Sequence, residues 1–161
     1  MNRKKGTNTF SHAIQIDQSG KIENMSKYTV VAFSNDTSKA VLVRARTKRQ
    51  LQEMFRKRGK IRLFIYRTFA ALIFLLIKDE LSQIKQIVID TEYPGKEKLI
   101  ERILLEYIRL HQLEEPAIYF QRVGNKSKVH YASYDVFTGK KKPNKIIELK
   151  ELQKLAIKND R

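Results

Sequence analysis

The apolar positions of this chain switch between the two-residue period of strands and the longer period of helices. Residues 13–16 (Ala-Ile-Gln-Ile) run into Asp17, and Gln18-Ser19-Gly20-Lys21 turns the chain, glycine supplying the backbone freedom a tight turn needs. Residues 28–33 (YTVVAF) are rich in β-branched and aromatic side chains and form the returning strand of a hairpin over 13–35. The turn formers Asn35-Asp36-Thr37-Ser38 follow, and residues 39–44 (KAVLVR) give a third short strand. Three consecutive antiparallel strands make a meander, with Asp17 at the tip of the first.

From Thr47 the spacing becomes helical. Leu51, Met54 and Phe55 share one face, with Thr47 as N-cap and Gly59 as the break. Residues 61–84 are apolar almost all round, which predicts a helix buried on several sides. Residues 87–90 (IVID) read as a central strand covered on both faces and ending in Asp90. After Thr91-Glu92-Tyr93-Pro94-Gly95, a helix begins near Lys96 with Leu99, Ile100, Ile103, Leu104, Tyr107 and Ile108 on one face. It fades before Pro116, and residues 117–123 (AIYFQRV) form another strand. This βαβ unit predicts two parallel strands joined by a right-handed crossover. Residues 128–138 read either as a helix or as a further strand. Ser127 at the start, and Gly139 followed by lysines at the end, favour the helix. Residues 140–144 read as a basic linker and 146–157 as a final amphipathic helix. The predicted organisation is a basic arm over 1–10 and a single α/β domain over 11–161, with a mixed five-stranded sheet flanked by helices.

Composition narrows the chemistry. With no cysteine, disulfides, thiolate zinc sites and cysteine nucleophiles are excluded, and three histidines are too few for an all-histidine metal cage. A metal would be held by oxygens, which favours Mg²⁺ or Mn²⁺. The balance of 33 Lys+Arg against 17 Asp+Glu gives a formal charge of +16, and the pI is about 10.1. Such an excess on a small domain is the footprint of a nucleic-acid binder, DNA or RNA. The candidate phosphate contacts are Arg44, Arg46, Lys48, Arg49, Arg56, Lys57 and Arg58, with Lys126, Lys128, Lys140, Lys141 and Lys142 further on. The basic, polar start of the chain carries no secretory pattern. The most apolar run, residues 63–77, includes Arg67 and is shorter than the roughly 20 residues that span a bilayer. The expectation is a cytoplasmic protein without a membrane partner.

With three antiparallel strands, helical material, a buried strand, a helix and a strand in that order, the chain resembles the ribonuclease H-like superfamily over roughly residues 12–139. The resemblance is closest to the RuvC-type resolvase and nuclease branch. It implies a carboxylate cluster binding two Mg²⁺ or Mn²⁺ ions, with one acid on the first strand and another at the end of the fourth. Asp17 matches the first role and Asp90 the second, with Glu92 two residues on as a substitute. A further acid on the helix after the fifth strand would be Asp135, and His130 would assist or contact the scissile phosphate. The helical acid that ribonuclease H proper uses before the fourth strand would have to be Glu53 or Glu80. Neither sits in a recognisable motif, so the RuvC-like version fits better.

The resemblance implies a metal-dependent nuclease. The competing reading is a non-catalytic nucleic-acid-binding protein, RNA- or ribosome-associated or a degenerate member of the same fold, in which the acids are turn and cap residues. A third is an interaction protein that packs its apolar 63–77 segment on a partner. A homodimer is compatible with all three.

Overall fold

The computed structural model describes residues 12–124 and 127–157. The expected basic arm over 1–10, and Lys126 among the candidate phosphate contacts, lie outside the described residues. The strands are β1 (Ala13–Ser19), β2 (Thr29–Ser34), β3 (Ser38–Val43), β4 (Gln86–Asp90), β5 (Ala117–Gln121) and β6 (Lys145–Ile146). The helices are α1 (Ala45–Lys57), α2 (Phe64–Ile77), α3 (Glu97–Leu110), α4 (Lys128–Phe137) and α5 (Leu149–Ala156). One sheet holds every strand in the order β5-β4-β1-β2-β3-β6. β1, β2 and β3 pair antiparallel, while β4 pairs parallel with both β1 and β5. The meander and the parallel βαβ unit are therefore as the hydrophobic pattern predicts.

The sheet has six strands rather than five. β6 pairs parallel with β3 at the edge. It is only two residues long, and Asn144 anchors it: its N–H donates to the Ala40 carbonyl (2.8 Å) and its side-chain oxygen accepts from the Ala40 N–H (2.9 Å). A pairing this short leaves no periodicity to read, so the residues around it pass for linker and helix. The last helix accordingly starts at Leu149, and Ile147 is buried in the core.

The two sheet faces are covered unequally because successive strand residues point to opposite sides. Ile14, Ile16, Val31, Phe33, Ile87 and Ile89 face the main core, which they share with the apolar sides of α1, α2, α3 and α5. α2 is buried along nearly its whole length, from Phe64 through Ile77, as its all-round apolar surface predicts. It is bounded by 3-10 turns at Ile61–Leu63 and Leu81–Gln83, so the long apolar stretch is not one continuous helix. The other face packs Val30, Ala32 and Ala40 against Val136 of α4. α1 begins two residues earlier than its sequence signal, at Ala45, which leaves Thr47 buried inside the helix rather than capping it. Among the described residues, no helix is long and apolar enough to cross a membrane.

Candidate metal centre

Asp17 lies within β1 rather than at its tip, two residues before the strand ends, and only 4% of it is exposed. Ile16 pairs with Ile89, so the next residues along, Asp17 and Asp90, stand side by side on neighbouring parallel strands. Adjacent strands lie about 4.8 Å apart. Both acids point to the α4 side, in phase with Ala32, the β2 partner of Asp17. Glu92 comes back to them from the loop after β4. One carboxylate oxygen from each of the three acids lies within 4.8 Å of the others.

The surroundings fix each acid. Asp90 Oδ1 accepts the Val123 backbone N–H at 2.7 Å, from the segment following β5. The loop carrying Glu92 is held over the end of β1 by Tyr93, whose hydroxyl accepts from Gln18 Nε2 (3.1 Å) and whose ring packs edge-on against Phe69 and Tyr66. From above, Ser133 Oγ donates to Asp17 Oδ2 at 2.8 Å, and Ser19 Oγ lies 2.8 Å from Ser133 Oγ. His130 Nδ1 is 3.4 Å from the same Asp17 oxygen, an ion pair when the ring is protonated.

α4 sits where it does for local reasons. Ser127 caps it, its hydroxyl accepting the His130 N–H at 3.2 Å. Val129, Ser133 and Val136 form its buried side. Its last residue, Phe137, rests on Gly20, which has φ +78°, and a Cβ there would come within 2.5 Å of the Phe137 ring and 2.6 Å of the Tyr28 carbonyl oxygen. Glycine at this turn thus serves both the left-handed backbone and the close approach of the helix. The Tyr28 hydroxyl donates to the Phe137 carbonyl and completes the clamp.

Three carboxylates in one half-buried spot disfavour full ionisation. Burial raises the Asp17 carboxyl above its ordinary range, and the Asp90 charge adds to this while the Ser133 hydrogen bond opposes it. Glu92 is pushed up to about 8, first by burial, then by Asp90 and Asp17. The donor set is all hard oxygen and its mutual repulsion is what a divalent cation relieves, so these residues fit Mg²⁺ or Mn²⁺.

The structure brings Asp17, Asp90, Glu92 and His130 together and leaves Asp135 out. Five residues beyond His130 is roughly 140° round a helix, and Asp135 instead lines a hollow with Asn35, Asp36, Thr37 and Lys128. Ser133, absent from the residues expected from the sequence, joins His130 as an α4 residue against Asp17 and makes the shorter contact. Its signal was available: a serine on the buried stripe between Val129 and Val136.

Of the expected phosphate contacts on α1, Lys48 is withdrawn from solvent. Lys48 is fully buried, and its Nζ donates to the carbonyls of Lys21 (3.2 Å) and Asn24 (2.7 Å) and to Thr29 Oγ1 (3.0 Å). It ties α1 to the β1–β2 loop and cannot reach a ligand. Burial lowers its pKa to about 8. Arg49 donates to the Met25 carbonyl (2.7 Å), Arg56 pairs with Glu53 (2.5 Å) and Arg44 with Glu148 (3.6 Å). Arg58 donates to the Ile157 carbonyl at 3.4 Å. All of α1, including Arg46 and Lys57, belongs to the layer opposite the carboxylates. On the carboxylate side the exposed cations among the described residues include Lys128 on α4, Lys140, Lys141 and Lys142 just beyond it, and Lys27 over the Phe137 ring. No protein-family model, no curated protein and no solved structure matches the chain.

Proposed function

We propose that the chain is a metal-dependent nuclease that hydrolyses phosphodiester bonds of nucleic acid at Asp17, Asp90 and Glu92. The observation that carries the reading is the convergence of these three carboxylates from β1, from the end of β4 and from the loop beyond it. Three antiparallel strands followed by two parallel ones, with acids on the first and fourth, agree with the resemblance to ribonuclease H-like nucleases. The sixth strand and the lack of a carboxylate from α4 depart from that pattern.

A divalent ion held by the three carboxylates would supply charge stabilisation at the attacking and leaving oxygens and lower the pKa of a bound water. Asp17 is the buried anchor, held by Ser133 so that its orientation does not depend on the ligand. Asp90 is held in the same way by the Val123 N–H. Glu92, on a loop and with its carboxyl pushed up to about 8, would be the ligand from which a bound cation displaces a proton. His130, half-buried above Asp17, is placed to hold a proton or to hydrogen-bond a phosphate oxygen at the rim. The net charge of +16 supports a polyanionic substrate.

The test is cleavage of single strands, duplexes, RNA:DNA hybrids and four-way junctions with Mg²⁺ or Mn²⁺, comparing wild type, Asp17→Asn and Asp135→Asn. Asp17→Asn should lose cleavage and keep binding, and Asp135→Asn should keep both. Metal-dependent cleavage that survives Asp17→Asn would overturn the assignment. Salt-sensitive binding without cleavage on every substrate would leave the non-catalytic binding protein.

A further inference from the structure

We infer that the open sheet face beside the carboxylates binds the bases of an unpaired nucleic-acid strand, stacked between Tyr119 and the His130–Tyr134 ring pair. This deepens the proposed function and rests on its nucleic-acid substrate.

β5 is an edge strand whose residues alternate. Ile118 and Phe120 turn to the main core, while Ala117, Tyr119 and Gln121 point to the α4 side and are exposed. α4 packs over β1, β2 and β3, so β5 stays open on that face. Gln121 pairs with Asp90 and Tyr119 with Val88. Tyr119 is therefore one strand over from Asp90 and two residues back, about 8 Å between Cα atoms from ordinary strand spacings. Across the carboxylates stands α4. His130 and Tyr134, four residues apart, share the flank turned away from the hollow around Asp135. Their rings stack with centroids 5.5 Å apart and 16° between planes. Tyr119 is 54% exposed and Tyr134 43%.

Half-exposed aromatic rings on both sides of a carboxylate cluster suit a flat π ligand better than a sugar-phosphate chain alone. Stacking on aromatic side chains tolerates any base, because every base has a π face. Paired bases inside a duplex do not offer that face, so the rings favour unpaired strands. The chain's formal charge of +16 complements the phosphates of such a strand.

The test is binding without cleavage, in metal-free buffer with chelator, by fluorescence anisotropy of the full chain. The probes are a short labelled oligothymidylate, an abasic strand of equal length and a blunt duplex. Tyr119→Ala and Tyr134→Ala should each weaken oligothymidylate binding about tenfold, with abasic and duplex binding unchanged. The Phe variants at both positions should bind as wild type, since stacking does not use the hydroxyl. The salt dependence should keep its slope, because no phosphate contact is removed. Equal losses on the abasic strand, no loss on either, or no binding of any probe by wild type would overturn the inference. Metals and cleavage play no part in this readout, so a negative result here leaves the carboxylate assignment standing. Conversely, base-dependent binding by a chain that cleaves nothing would remove the proposed hydrolysis and keep the stacking surface.

Discussion

Replacing Glu92 with Gln should change how stability depends on pH. In the folded chain the Glu92 carboxyl is pushed up to about 8 from an ordinary 4.5, so between those values the folded state holds a proton that the unfolded state has released. Unfolding free energy therefore falls as pH rises through that window: the contribution is fully present below about 4.5 and lost above about 8. A gap of about 3.5 decades is at most about 4.8 kcal/mol. Glu92 is only partly buried and water screens its repulsion with Asp90 and Asp17, so on the order of 2 kcal/mol is expected. For a domain of this size that is about 4–8 °C in Tm. Glutamine keeps the shape without the titration. In metal-free thermal melts from pH 5 to 9, wild type should lose about that much more than Glu92→Gln. Mg²⁺ or Mn²⁺ at pH 8.5 should restore wild type and leave the variant unmoved. Parallel pH profiles for the two proteins would refute the crowding of charge from which the metal site is argued.

Two further substitutions test how the site is held. Gly20→Ala puts a side chain at φ +78° with its Cβ 2.6 Å from the Tyr28 carbonyl oxygen. It should cost at least about 2 kcal/mol, read as a lowered Tm, and an unchanged melt would contradict the clamp on α4. Lys48→Met leaves two carbonyls and the Thr29 hydroxyl without their shared donor. It should cost about 3 kcal/mol in chemical denaturation while the salt dependence of oligonucleotide binding keeps its slope. A slope reduced by about one phosphate's worth would return Lys48 to the nucleic-acid surface.

Much of the fold can be read from the sequence because its signals are local. The 13–35 hairpin, the all-round apolar α2 and the run Ile87-Val88-Ile89 between polar breaks each carry their own period, and Ser127 with Gly139 bounds α4. β6 is not legible, since two residues have no period and the pairing depends on an Asn144 contact more than a hundred positions from Ala40. The candidate site divides along the same line. Asp17 and Asp90 end or interrupt apolar runs and are visible. Which face of α4 meets them is set by how Val136 docks on β2 and β3 with Val129 buried on the same side, and that choice brings Ser133 inward and turns Asp135 away. Lys48 on α1 shows where charge counting fails: it is spent on the β1–β2 loop's carbonyls, a use that only the folded backbone reveals.

The most direct measurement of the central claim is calorimetric titration of the metal-free chain with Mn²⁺ at pH 7, repeated in buffers of different ionisation enthalpy. Saturable binding with proton release from Glu92, lost in Asp17→Asn and in Asp90→Asn, is the predicted result. Absence of saturable binding, or binding that both variants retain unchanged, would contradict the metal centre.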